Sequence, residues 1–179
     1  MTALRQATVY GLSPRMRFDL AINGMTLGIY EHGRIPVLRD GTQWRPMVHV
    51  RDTSSAFLAV LEAESTTVNG QIFNVGSEEQ NFQILPLAHR IAQGLGKPLE
   101  YDWYGSPDHR SYRVSFAKVR ETLGFVPQWQ PEDAAREIAE ALSSGRVAST
   151  GQTRTVEWYK MLLHWHAILR EVVLQDAVL

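Results

Sequence analysis

A chain of 179 residues is long enough for one ordinary hydrophobic core, as one domain or two small ones. Apolar residues at 44% and charged residues at 21% exclude a disordered or collagen-like chain. A net charge of -1, from 18 Lys+Arg against 19 Asp+Glu, excludes a global basic field for nucleic acid or an anionic membrane, and the absence of cysteine excludes disulfides and thiolate metal sites.

The first residues, MTALRQATVYG, lack the apolar core and cleavage pattern of a secretory leader, and no apolar run approaches the ~20 residues of a spanning helix. A soluble, cytoplasmic protein is expected. Residues 4–10 (LRQATVY) read as a strand stopped by Gly11. Phe18, Ile22, Met25 and Ile29 recur at helical spacing, so a helix is predicted over 16–30, weakened by Gly24 and Gly28 and ended by Gly33. Residues 35–38 form a short strand with DGT as its turn, and 47–50 a second strand. Asp52 is the expected N-cap of a helix over 53–63 whose apolar face is Ala56, Phe57, Val60 and Leu61. Asn69-Gly70 turns into the strand QIFNV, residues 71–75, closed by Gly76. Ile84, Leu87, Ala88, Ile91 and Leu95 mark an amphipathic helix stopped by GLGKP, and 99–104 alternate as a strand. Ser115 is read as the cap of a helix over 116–123 that ends at Gly124, and Pro131 as the start of a helix through 142. SSGRVASTGQT is a polar linker or loop. The last helix, 155–173, carries Trp158, Leu162, Trp165, Leu169 and Val172 along one side, as core or interface. Strands alternate with helices, an α/β pattern, with helical crossovers as parallel strands require.

In their order and spacing, RQATVYG, SPRMRFDLAING, DGTQWRPMVHVRDTSSAFLAVLEA, GQIFNVGS and PDHRSYRVSFAKVRETLGFVP resemble the C-terminal half of the extended short-chain dehydrogenase/reductase family. More narrowly, they resemble its NAD-dependent nucleotide-sugar epimerases and dehydratases, which are isomerases and lyases. The resemblance implies a partial Rossmann-like sheet holding only the last strands, about residues 4–10 and 71–75. A small α/β substrate-binding region is interleaved with it over 1–150, and 151–179 hold a C-terminal helix. The family's cofactor turn, GxxGxxG, has no counterpart among the glycines here, and GLGKP lacks the earlier glycine of a Walker loop because Ile91 stands near its place. The family's Tyr-x-x-x-Lys pair is also missing, since no tyrosine has lysine at the fourth following position. The expectation is a truncated half that supplies no catalytic residue and binds NAD poorly alone. It is expected to need a chain carrying the cofactor-binding half, or to self-associate. A non-catalytic nucleotide-sugar-binding or interaction protein, or an inactive remnant, is the alternative.

In the family two arginines grip the diphosphate of a nucleoside-diphosphate sugar, and Arg45 and Arg110 stand at those positions. A guanidinium suits that task because its planar paired donors match adjacent anionic oxygens. The bland alternative makes Arg45 a turn residue with its stem on Trp44 and Arg110 a solvated loop charge. Asp108 is expected to orient Arg110. Arg15, Arg17 and Asp19 flank a helix start beside the sugar and nucleotide, where Asp19 also suits the helix dipole. Asn23 either faces the nucleotide or lies on the surface. Tyr10 and Gly11 fall on the nicotinamide side, but Thr8 and Leu12 replace the family's asparagine and proline there. His49 reads as a packed strand residue. His164 and His166 point to different sides of a helix and are poor metal ligands.

Overall fold

The computed structural model describes residues 1–174 and 177–178. The first part of the chain runs β1 (Ala3–Gln6), β2 (Thr8–Tyr10), α1 (Ala21–His32), β3 (Ile35–Leu38), β4 (Trp44–His49), α2 (Val50–Glu62), α3 (Ser65–Val68) and β5 (Ile72–Val75). It continues through β6 (Asn81–Gln83), α4 (Ile84–Gly94), β7 (Tyr101–Tyr104), α5 (Ala117–Leu123), α6 (Pro131–Ser143), α7 (Thr155–Val172), β8 (Val173–Leu174) and β9 (Ala177–Val178). This is the mixed α/β architecture anticipated from the alternation of elements. Among the described residues no helix is long and apolar enough to cross a membrane.

The N-terminal strand is broken at Ala7 and serves two sheets. β1 pairs in parallel with β5, while β2 pairs in parallel with β4, which in turn pairs antiparallel with β6. β3 and β7 form a separate parallel pair. The main core lies where α1, α4 and α6 pack together beside β3, burying Ile22, Met25, Ile35, Val37, Leu87, Ile91 and Ala134. A second cluster under β1 and β5 buries Phe73, Val75, Phe116 and Val119.

Several boundaries differ from the sequence expectation for tertiary reasons. The first helix starts at Ala21, five residues after the expected start at residue 16, because the chain before it is engaged elsewhere. Phe18 N–H donates to the Thr153 carbonyl, and Met16 and Phe18 are buried with Ile138 and Leu142. Gly33, at φ 69°, ends the helix as expected. β4 begins at Trp44, so Arg45 lies within a strand rather than before one. The next helix begins at Val50 with His49 as its cap residue, the Nδ1 of His49 accepting from Arg51 N–H at 3.2 Å. Asp52 therefore does not cap. It is buried in the first turn and accepts the backbone N–H groups of Gln128 and Trp129, at 2.9 and 3.1 Å. The expected apolar face of α2 is only partly covered: Ala56 is buried, whereas Phe57 and Leu61 are 51% and 78% exposed. Phe116, not Ser115, is the cap residue of α5. α7 buries none of its residues, so its Trp/Leu stripe is not core.

Candidate functional site

A cleft of about 850 Å³ opens between α1, β3, β7 and the loop after β7, with the start of α7 at its mouth. Side chains alternate across a strand, so Arg45 and Met47 of β4 share the face that lines this cleft. Arg110 reaches the same cleft from the loop after β7. The two arginines enter from positions 65 residues apart, yet the Arg45 guanidinium donates to the Arg110 backbone carbonyl.

Asp108 joins them. Arg45 donates to Asp108 Oδ2 at 2.5 Å, and Arg110 donates through Nε to Oδ1 at 2.9 Å and through a terminal nitrogen to Oδ2 at 3.0 Å. The Arg110 backbone N–H adds a second donor to Oδ1, at 3.0 Å. The Arg110 hydrogen bonds and the Arg45 charge hold the Asp108 carboxyl down to about 2. Arg45 is fixed further by the Trp44 carbonyl at 2.7 Å and by the Tyr112 ring, 5.5 Å from its guanidinium carbon. The side chain of Arg45 is 16% exposed and that of Arg110 is 83% exposed. Two guanidiniums against one carboxylate leave a local excess of positive charge, on one largely buried and one exposed donor group. That is an anion-binding arrangement.

The other sequence candidates are dispersed. Asp19 lines the cleft and accepts from Arg17 at 2.8 Å, which turns Arg17 toward its neighbour on the chain. Asn23 is buried, not on the surface. Its Oδ1 accepts Gly11 N–H at 3.0 Å, and its Nδ2 donates to the Arg17 carbonyl at 3.1 Å, so it fastens the loop between β2 and α1. Tyr10 is buried too, its hydroxyl within hydrogen-bond distance of Gln80 Oε1 (3.0 Å) and the Trp129 carbonyl (3.1 Å). Gly11 adopts φ 109°, and a Cβ there would lie 2.3 Å from His49 Nε2, so only glycine fits. The polar groups of Tyr10 and Gly11 are thus engaged within the chain.

Sequence reasoning missed the buried polar cluster beneath this loop. His49 stacks on Trp129 with ring centroids 4.7 Å apart and meets the edge of Tyr10 at 5.3 Å. Burial, and then the Arg51 charge, lower the His49 imidazole to about 4. Its Nε2 has no hydrogen-bond partner among the described residues, and Glu137 Oε2 lies 4.0 Å away. Tyr104, Tyr112 and Arg154 also line the cleft. The aromatics of β7 gave a signal only for a strand, and Arg154 follows a polar linker with no local pattern at all.

Residues 1–76 match the model of the NAD dependent epimerase/dehydratase family, as the sequence motifs anticipated. A UDP-glucuronate 4-epimerase of Thermodesulfobacterium geofontis (strain OPF15) is 26% identical over 162 residues, which cover 89% of this chain and 43% of that protein. Among solved structures, UDP-glucuronic acid 4-epimerase from Bacillus cereus in complex with UDP-glucuronic acid and NAD is similar with a TM-score of 0.66 at 23% identity, over 79% of this chain and 44% of that one. The dTDP-glucose 4,6-dehydratase from Bacillus anthracis in complex with NAD gives a TM-score of 0.63 at 23% identity, over 80% and 44%. The chain spans less than half the length of these relatives.

Proposed function

We propose that this chain, a relative of the NAD-dependent epimerases and dehydratases by its family match over residues 1–76, is the nucleotide-sugar-binding part of such an enzyme. Arg45 and Arg110 hold the diphosphate, and the sugar lies toward the Asp19 end of the cleft. The observation that carries this reading is the convergence of both guanidiniums on Asp108 at one cleft. Phosphate oxygens offer the same paired acceptors as that carboxylate, so a diphosphate takes over donors that are already aimed. The exposed Arg110 adjusts to it while Arg45 stays fixed.

The chain's contribution to catalysis is then positioning: it holds the sugar against reacting groups carried elsewhere. GxxGxxG and Tyr-x-x-x-Lys are not in this sequence, so hydride and proton transfer await a half that holds NAD and those groups. UDP-glucuronic acid, bound in the Bacillus cereus relative, is the first ligand to test.

Calorimetry of the chain with UDP-glucuronic acid, dTDP-glucose and UDP, with and without NAD, tests the reading. Binding of at least one sugar nucleotide, indifferent to NAD and without turnover, is the expected outcome. No binding to any of them sinks the diphosphate assignment. Epimerisation or dehydration by the purified chain alone overturns the division of labour.

A further inference from the structure

Independently of the cleft, the helix α7 carries an exposed apolar seam. Trp158, Leu162, Trp165, Leu169 and Val172 succeed one another at intervals of four and three residues. That is the 3.5-residue period of a helix seam that packs on another helix rather than on a sheet. None of the helix is buried, and Trp165 is 53% exposed, Leu162 41% and Leu169 45%. Apolar flanks widen the seam: Tyr159 is 56% exposed and Met161 39%.

We infer that α7 pairs with α7 of a second copy of this chain, antiparallel, as a two-helix seam. The order of residues along the seam chooses this occupant and this direction. In an antiparallel pair centred between Leu162 and Trp165, Trp158 meets the second copy's Leu169 and Leu162 meets its Trp165. The next two layers repeat these contacts with the copies exchanged. Each of these four layers sets one large ring against one smaller side chain, the alternation that fills space between helices without voids. A parallel, in-register pair gives Trp on Trp and Leu on Leu, crowded and loose by turns. Antiparallel pairing also sets each helix dipole against the opposite end of its neighbour.

The area is sufficient. A helix of 18 residues is about 27 Å long. Half-exposed aromatic and leucine side chains over that length offer on the order of 500 Å² per helix. Two such faces reach the roughly 1,000 Å² that a specific interface needs.

The test is the mass of the full chain in solution by sedimentation, together with directed crosslinking. The expected result is a dimer of the 20.3 kDa chain at tens of micromolar. Leu162→Glu, on an exposed face, is expected to keep the circular dichroism of the parent and weaken association by about 100-fold. Leu169→Asp serves as the second variant should Leu162→Glu lose its fold. The sequence has no cysteine, so Leu162→Cys and Trp165→Cys chains are mixed and oxidised. Disulfides between the two variants support the register, whereas disulfides only within each variant alone overturn it. A wild-type monomer, or an oligomer unmoved by both acidic variants, overturns the proposal and moves any self-association to the exposed edge of β1.

Discussion

The side of the molecule that holds the cleft and the side built on β1, β5 and α2 use similar elements packed to different degrees. Around the cleft, α1 buries Ile22, Met25 and Ile29 against β3 and α4, and buried Asn23 and Asp52 tie the neighbouring loops to backbone groups. On the other side Phe73 and Val75 are buried, yet β1 pairs only with β5 among the described residues. Phe57, Leu58 and Leu61 there remain in solvent, and Phe57 and Leu61 line a second groove of about 480 Å³. Parallel strands ordinarily lie inside sheets covered on both faces. The cleft region thus holds its shape through its own contacts, while the sheet region presents surface suited to further strands and helices.

Mutations sharpen this contrast. The largest effect is expected at Gly11, where a side chain meets both a positive φ and the His49 ring. Gly11→Ala should lower stability by about 3 kcal/mol or more in denaturant unfolding. A variant of parental stability would mean that the loop does not rest on His49.

Acid should act through the same cluster. His49 sits at about 4 when folded against 6.5 ordinarily, so the unfolded chain takes up its proton first as pH falls. Its contribution is complete above pH 6.5 and is lost as pH drops toward 4, by roughly 2–3 kcal/mol. Asp52 works in the opposite direction, because burial raises its carboxyl although two backbone N–H groups oppose the rise. The comparison is therefore between the parent and His49→Phe: unfolding between pH 7 and 5 should be steeper in pH for the parent. Identical slopes would remove His49 from the account.

Next comes Arg45→Ala, expected to weaken nucleoside-diphosphate binding by about 2 kcal/mol, some 30-fold, through loss of charge-assisted donors. Unchanged affinity by calorimetry would return Arg45 to a purely structural role beside Asp108. The smallest effect belongs to the open side. Leu61→Ser should change stability by no more than about 0.5 kcal/mol, since the residue is 78% exposed. A large loss would show that this face is covered in solution.

Much of the architecture was legible because it rests on local signals. β3 and the helices ended by Gly33 and Gly124 follow from periodicity and stop residues. What escaped depends on partners far along the chain. Asp52 looks like a cap until Gln128 and Trp129 claim its carboxylate from 76 and 77 residues away. Asn23, read as facing the nucleotide or lying on the surface, is instead turned inward by Gly11 and Arg17, nearer partners that helical spacing alone did not reveal. The shared cleft of Arg45 and Arg110 came from motif order, but the bridging of both by Asp108 had no sequence sign beyond its place two residues before Arg110.

The most direct measurement is a titration of the full chain with uridine, UMP and UDP by calorimetry. If two guanidiniums share one diphosphate, UDP binds at least about tenfold more tightly than UMP, and Arg45→Ala or Arg110→Ala abolishes that gain. Equal affinity for UMP and UDP, or a gain that survives both substitutions, would contradict it.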